Sequence, residues 1–168
     1  MARLIVFAGL PATGKSSIAR ELARRTGAIW LRIDSMDQAI WASGTAPPDL
    51  RDWTYRAAQA VAEDNLRLGR DVIGDCVNDW AAARDGWQAA GERAGARLVW
   101  LQVVCSDARE HRHRVDTRAS ETPGLALPDW AAVTARDYHA WDRDGPTLDT
   151  AQRSLAECVE AALAACAP

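Results

Sequence analysis

Residues 9–16 read Gly-Leu-Pro-Ala-Thr-Gly-Lys-Ser and fill the pattern G-x-x-x-x-G-K-[ST]. They stand between a short apolar run, Arg3 to Ala8, and a stretch with helical spacing, Lys15 to Arg25. A strand feeding a glycine loop that opens a helix is the context in which this pattern carries meaning. Glycines let successive backbone N–H groups turn inward around a phosphate, and the helix N-terminus adds partial positive charge. Gly9, Leu10, Pro11, Ala12, Thr13, Gly14, Lys15, Ser16 and Ser17 are therefore the candidate nucleotide-binding residues, with Lys15 reaching the β- and γ-phosphates and Ser16 ligating Mg²⁺. Composition sharpens this reading, because Lys15 is the one lysine among 20 lysines and arginines.

The rest of the chain alternates in the same way. Ala28 to Ile33 is a second apolar stretch ending at Asp34, where Asp34 or Ser35 is expected to cap a helix running towards Trp41. Gly44 to Pro48 reads as a surface loop. Trp53, Ala57, Ala60, Val61 and Leu68 suit a long helix from Leu50 to Leu68, and Gly69 ends it before a strand from Asp71 to Asp75. A helix from Ala81 to Ala94 precedes the strongest strand, Arg97 to Val104. A basic helix spans Ala108 to Ala119, another runs from Asp129 to about Ala140, Thr147 to Asp149 is a short last strand, and Leu155 to Ala165 closes the chain as a helix. Strands and helices alternating over short connections imply a parallel sheet covered by helices on both faces. At 168 residues one domain, 1–168, is expected. No apolar run approaches the roughly 18 residues of a membrane span, so neither an anchor nor a signal segment is expected.

Several polar residues then fall where chemistry is done in such sheets. Asp34 lies at the carboxyl edge, close to the glycine loop, where a carboxylate either acts on an acceptor hydroxyl or caps the next helix. Asp75 follows Val72-Ile73-Gly74 and suits a metal-bound water or a substrate hydroxyl. Asn78 and Arg84 continue it as D-x-x-N with a later arginine, which reads as acceptor contact or as turn and cap chemistry. Arg109, Arg112, Arg114 and Arg118 share one expected helix, with Arg114 and Arg118 four apart on one face, and they need an anion or acidic partners such as Glu110 and Asp116.

The loop at 9 to 17, Ile33-Asp34-Ser35, Asp75 and the arginine-rich helix after Cys105 together resemble the small P-loop kinases, over most of the chain. That group includes chloramphenicol phosphotransferase, zeta-toxin-like kinases, gluconate kinase and the polynucleotide 5′-kinase domain. The resemblance implies a three-layer α/β P-loop NTPase fold of the nucleoside-monophosphate-kinase type. Its sheet would be five-stranded and mostly parallel, with a helical lid at about 106–128 whose tip is Glu121 to Pro128. It implies phosphoryl transfer from ATP–Mg²⁺ to a hydroxyl of a small molecule, with an antibiotic- or sugar-like acceptor. Asp34 would be the general base, and Arg114 and Arg118 would close over ATP and stabilise the transferred phosphoryl group. Asp75 would join Ser16 at the metal or meet the substrate, and Asn78 and Arg84 would lie on the acceptor side. Two departures stand out: Gly74 interrupts the apolar run before Asp75, and Trp41 to Asp52 matches no acceptor motif. Two other readings stay open, a polynucleotide or nucleoside 5′-hydroxyl kinase suggested by Asp75, Asn78 and Arg84, and a nucleotide-dependent switch with no acceptor.

A net charge of −3 and a pI near 5.6 make nucleic acid an unexpected partner. Cys76, Cys105, Cys158 and Cys166 show no metal-ligand spacing and read as buried thiols in a reducing cytoplasm. His111 and His113, two apart, fall on different helix faces and read as solvent-exposed. Trp41, Trp53, Trp80 and Trp87 lie in segments where the resembled kinases build their acceptor pocket, while Trp100, inside a strand, reads as core.

Overall fold

The computed structural model describes residues 1–45, 50–120, 124 and 126–167. Residues 46–48 of the expected 44–48 loop and half of the expected lid tip, 121–123 and 125, lie outside the described residues. Five parallel strands, β1 (Arg3–Ala8), β2 (Ile29–Arg32), β3 (Val72–Asp75), β4 (Arg97–Val104) and β5 (Thr147–Asp149), form one sheet in the order β2-β3-β1-β4-β5. The intervening helices are α1 (Lys15–Thr26), α2 (Ile33–Ala42), α3 (Arg51–Arg67), α4 (Ala81–Arg93), α5 (Ala108–Thr117), α6 (Trp130–Thr134) and α7 (Leu155–Ala165).

β1 shows why this sheet is covered twice. Its residues alternate sides, Ile5 and Phe7 joining one core with Ile18, Leu22, Leu148 and Val159, and Leu4 and Val6 joining the other with Ala58, Leu66 and Trp87. Each fully buried side chain of this kind contributes about 1.5–3 kcal/mol, so a central strand apolar on both faces is anchored from both layers. Gly74 also finds its reason here. A Cβ at that position would stand 3.0 Å from the Trp87 indole, so the glycine that interrupts the run before Asp75 makes room for a core tryptophan.

Four expectations need correction. β2 runs into α2 without a loop: Arg32 is the N-cap residue, no side chain caps the helix, and Asp34 sits in its first turn rather than at a strand end. On α3 the apolar residues that suggested a helix, Trp53, Ala57, Ala60, Val61 and Leu68, form its exposed side, while Tyr55, Ala58, Ala62 and Leu66 face the core. α5 stops at Thr117, and Arg118 follows in extended backbone. The helix expected from Asp129 to Ala140 is reduced to α6. Beyond it the buried Arg84 guanidinium takes the carbonyls of Ala140 and His139, at 2.9 and 3.4 Å, and His139 N–H is given to Asp79 O at 2.8 Å. Those backbone groups are thereby withdrawn from helical partners. Among the described residues no helix is long and apolar enough to cross a membrane.

Candidate active site

The glycine loop leaves the sheet between the chain following β3 and the end of β4. Gly9 donates its N–H to Val77 O at 3.0 Å, and at φ 148° a Cβ there would lie 2.2 Å from the Val103 carbonyl oxygen. Only glycine leaves β1 by this route. The loop then closes on itself: the Thr13 hydroxyl donates to Leu10 O at 2.9 Å, and Ala12 adopts a left-handed φ of 65°, which costs a non-glycine residue about 1–2 kcal/mol. Gly14 is the N-cap of α1, whose first turn has no side-chain cap and no acidic residue. Its N–H groups therefore face outward as an anion-binding terminus. Pro11, Ala12, Gly14, Lys15, Ser16 and Ser17 line a cleft of about 670 Å³, while Gly9, Leu10 and Thr13 shape it from behind.

Behind the cleft floor stands Asp75, 2% exposed. The Ser16 hydroxyl donates to Asp75 Oδ1 at 3.1 Å, and the Trp30 indole N–H donates to Oδ2 at 3.2 Å. Burial pushes the Asp75 carboxyl above its ordinary range against the opposing pull of the Lys15 ammonium and the Ser16 hydroxyl. A hydroxyl beside an undercompensated carboxylate at the mouth of a phosphate loop fits Mg²⁺, which takes few protein oxygens and keeps water and phosphate ligands. Among the described residues no group of three or more His, Cys, Asp or Glu side chains gathers to hold a metal alone, so a cation here would share its shell with phosphate. Asp75 lines neither of the two cavities described here, which separates it from the acceptor role also expected of it.

α5 braces the loop from the other side. Asp107 caps the helix, accepting from the N–H groups of Arg109 and Glu110. Arg114 donates to the Thr150 hydroxyl at 2.7 Å, to Thr150 O at 3.0 Å and to Glu110 at 2.8 Å, and the Thr150 hydroxyl in turn donates to Thr13 O at 2.8 Å. Arg114 thus lines the cleft while clamped to the loop's support. Arg118 also lines it, but its Nε and Nη2 are buried with no hydrogen-bond partner. Burial lowers the Arg118 pKa, and the Asp34 charge opposes that shift. His111 is buried rather than solvent-exposed: Nε2 donates to Pro11 O at 2.8 Å, and the ring meets Trp130 edge-on at 5.2 Å.

A second cavity, about 540 Å³, adjoins the cleft and shares Asp34, Asp37, Trp41, Val77 and Arg136 with it. Tyr55 and Trp80, packed edge to face at 4.6 Å, form part of its wall. Asn78 and Arg84 line neither cavity. The Asn78 amide donates to Phe7 O at 2.7 Å from a left-handed backbone, tying the turn after β3 to β1. Arg84 is fully buried, ion-paired to Asp142 at 3.1 Å and stacked over Trp141 at 5.7 Å. Both replace the acceptor contacts expected of them with scaffold contacts. Of the four tryptophans in question, Trp41 and Trp80 line the second cavity, Trp87 is core, and Trp53 is exposed.

A family model described as an AAA domain matches residues 4–136. The chain belongs to this AAA domain family. Solved structures match this AAA domain protein over nearly its whole length. An unliganded sugar kinase from Janibacter sp. HTCC2649 is 20% identical with a TM-score of 0.71, covering 98% of this chain and 94% of that one. The APS kinase CysC of Mycobacterium tuberculosis, in complex with AMPPNP and APS, is 17% identical with a TM-score of 0.73, covering 98% and 97%. Kti12 of Chaetomium thermophilum, in complex with ADP-AlF3, is 20% identical with a TM-score of 0.68, covering 96% of each chain. At these identities the likeness establishes the P-loop NTPase kinase fold. No curated protein matches the sequence.

Four residues of the AAA domain site lie outside the sequence reading of its chemistry. Asp37 has the plainest sequence signal, three residues after Asp34 and so on the same side of a helix. Thr150, just past the last strand, marks another carboxyl-edge position. His111 and Trp30 give no local signal, since their partners Pro11 and Asp75 are 100 and 45 residues away.

Proposed function

We propose that this AAA domain protein is a kinase that moves the γ-phosphoryl group of ATP to a hydroxyl of a small molecule. The observation that carries the reading is the position of Asp34, whose side chain borders both the phosphate-loop cleft and the cavity beside it. A carboxylate at that junction faces the place where a phosphate and a hydroxyl meet. The loop amides and Lys15 hold the nucleotide phosphates, and Ser16 and Asp75 are the residues that would hold Mg²⁺, which when bound neutralises phosphate charge. Asp34 orients the acceptor hydroxyl and takes its proton as the new P–O bond forms and ADP departs with the electrons of the old one. Arg118, with two buried donor nitrogens unengaged, meets the charge spread over the transferred group.

The nucleotides named with the two neighbours, AMPPNP and ADP-AlF3, support ATP as the donor, and the sugar kinase supports a small acceptor. Asn78 and Arg84, two of the three residues that suggested a polynucleotide acceptor, make scaffold contacts, which favours a small acceptor. Four free cysteines, three of them buried, fit a reducing cytoplasm. ADP release from ATP–Mg²⁺ against antibiotics, sugars, nucleosides and a 5′-hydroxyl oligonucleotide tests the proposal. Stimulation by one small acceptor, lost in Lys15→Ala and Asp34→Asn, is the expected result. Slow hydrolysis that no acceptor stimulates, abolished by Lys15→Ala but not by Asp34→Asn, would replace the kinase with a switch.

A further inference from the structure

The cavity beside the cleft has a definite electrostatic character. Its described lining holds three carboxylates, Asp34, Asp37 and Asp79, against one guanidinium, Arg136. Arg136 is committed to Asp79 at 2.9 Å, so the charge left facing the cavity is that of Asp34 and Asp37. These two sit three residues apart on α2, one turn above the other, and both line both cavities. With Asp34 assigned to the acceptor hydroxyl, Asp37 needs an account of its own.

Asp37 is a half-buried carboxylate whose Oδ1 is enclosed and has no hydrogen-bond partner. Burial pushes its carboxyl up from the ordinary range, the neighbouring Thr54 hydroxyl opposes this, and the Asp34 charge adds to the push. Such an oxygen stays unsatisfied until a donor arrives, and a cationic donor relieves the desolvation and the repulsion from Asp34 together. Three aromatic residues, Trp41, Tyr55 and Trp80, line the same cavity. Aromatic faces attract an ammonium group and offer an anion nothing.

We infer that the cavity bounded by Asp34, Asp37, Trp41, Tyr55 and Trp80 is an acceptor subsite for a hydroxylated amine, an amino sugar or amino alcohol, held by its ammonium at Asp37. This rests on the kinase reading above and gives it a substrate class. The hydroxyl of the same molecule lies at Asp34. Its oxygen bonds to the γ-phosphorus, the bond from that phosphorus to the β–γ bridging oxygen breaks with its electrons leaving on ADP, and the hydroxyl proton passes to Asp34. Acid sugars are excluded by the same two carboxylates that draw the amine in.

The test uses probes on one carbon skeleton, glucosamine, glucose and gluconate, with kanamycin as a second amine. Binding to the full chain with ADP and Mg²⁺ present is measured by calorimetry, and phosphoryl transfer from ATP is followed in parallel as ADP release. The expected result is that at least one amine probe binds about tenfold or more tightly than glucose, that gluconate binds more weakly still, and that Asp37→Asn brings the amine to the level of glucose. In turnover the same variant should raise KM for the amine more than it lowers kcat. Gluconate or glucose binding as tightly as the better-bound amine would overturn the inference. So would equal loss of all probes in Asp37→Asn, or the absence of binding by both amines. Amine binding that depends on Asp37 without phosphoryl transfer would leave the subsite standing and overturn the kinase reading instead.

Discussion

β3 has an aspartate at each end, and the two live under opposite conditions. Asp71, just before the strand, receives the Arg3 backbone N–H at 2.7 Å and its guanidinium Nε at 2.9 Å, while the same guanidinium reaches Cys166 O at 2.8 Å. Burial alone would raise the Asp71 carboxyl, but the hydrogen bonds and charge of Arg3 together hold it below the ordinary carboxylate range. Asp75, at the other end, has among the described residues a hydroxyl and an indole as side-chain hydrogen-bond donors, and burial keeps its carboxyl above that range. The amino edge of the sheet matches its charges and ties β1, the entry to β3 and the end of α7 together. The carboxyl edge leaves charge undercompensated at the place where a ligand would arrive.

Lys15→Ala strikes the carboxyl edge hardest. A loss of about 10²–10³-fold in turnover is expected, read as ADP release from ATP–Mg²⁺ at saturating acceptor. Asp34→Asn keeps the shape of the first turn of α2 and removes the proton acceptor, so a fall of about 10²-fold in kcat is expected with the KM for ATP little changed. His111→Phe keeps the packing on Trp130 but leaves Pro11 O without its donor. The expected cost is about 1 kcal/mol, seen as a severalfold rise in the KM for ATP with kcat nearly constant. Asp71→Asn belongs to the other edge and should lower unfolding stability at neutral pH by about 1 kcal/mol, with turnover unchanged. Because the folded Asp71 carboxyl lies below its unfolded value, its contribution is present above the unfolded pKa of about 3.9 and fades as pH falls through the lower folded value. Denaturant melts of the two proteins should therefore begin to converge below about pH 4 and coincide only once the pH has fallen through the lower folded value. A gap that persists below that folded value would mean that Asp71 contributes packing rather than charge.

The parts of this molecule legible in the sequence are those fixed locally. The phosphate loop follows from glycine and lysine spacing between two periodic segments, and β4 has the bounds its apolar run implies. The place of Asp34 at the carboxyl edge is legible from position alone, although the N-cap of α2 is Arg32, two residues before the earlier of the two expected caps. What escaped depends on partners far along the chain. The residues after α6 lose their helix to a guanidinium more than 50 positions earlier, and His111 looks like one more polar residue on a basic helix until Pro11 is brought against it. α3 misled for a different reason: small alanines on both faces left periodicity unable to say which side Tyr55 and Leu66 would take inward.

The lone lysine also bears on how the molecule comes apart. A protease that cuts only after lysine has one target in the whole chain, the bond between Lys15 and Ser16, and that bond lies in the first turn of α1 with Lys15 only 7% exposed. Cleavage into a short amino-terminal peptide and one large fragment therefore requires the phosphate loop to open. The rate of that single cut is a clock for the opening, and a nucleotide seated on the loop would slow it.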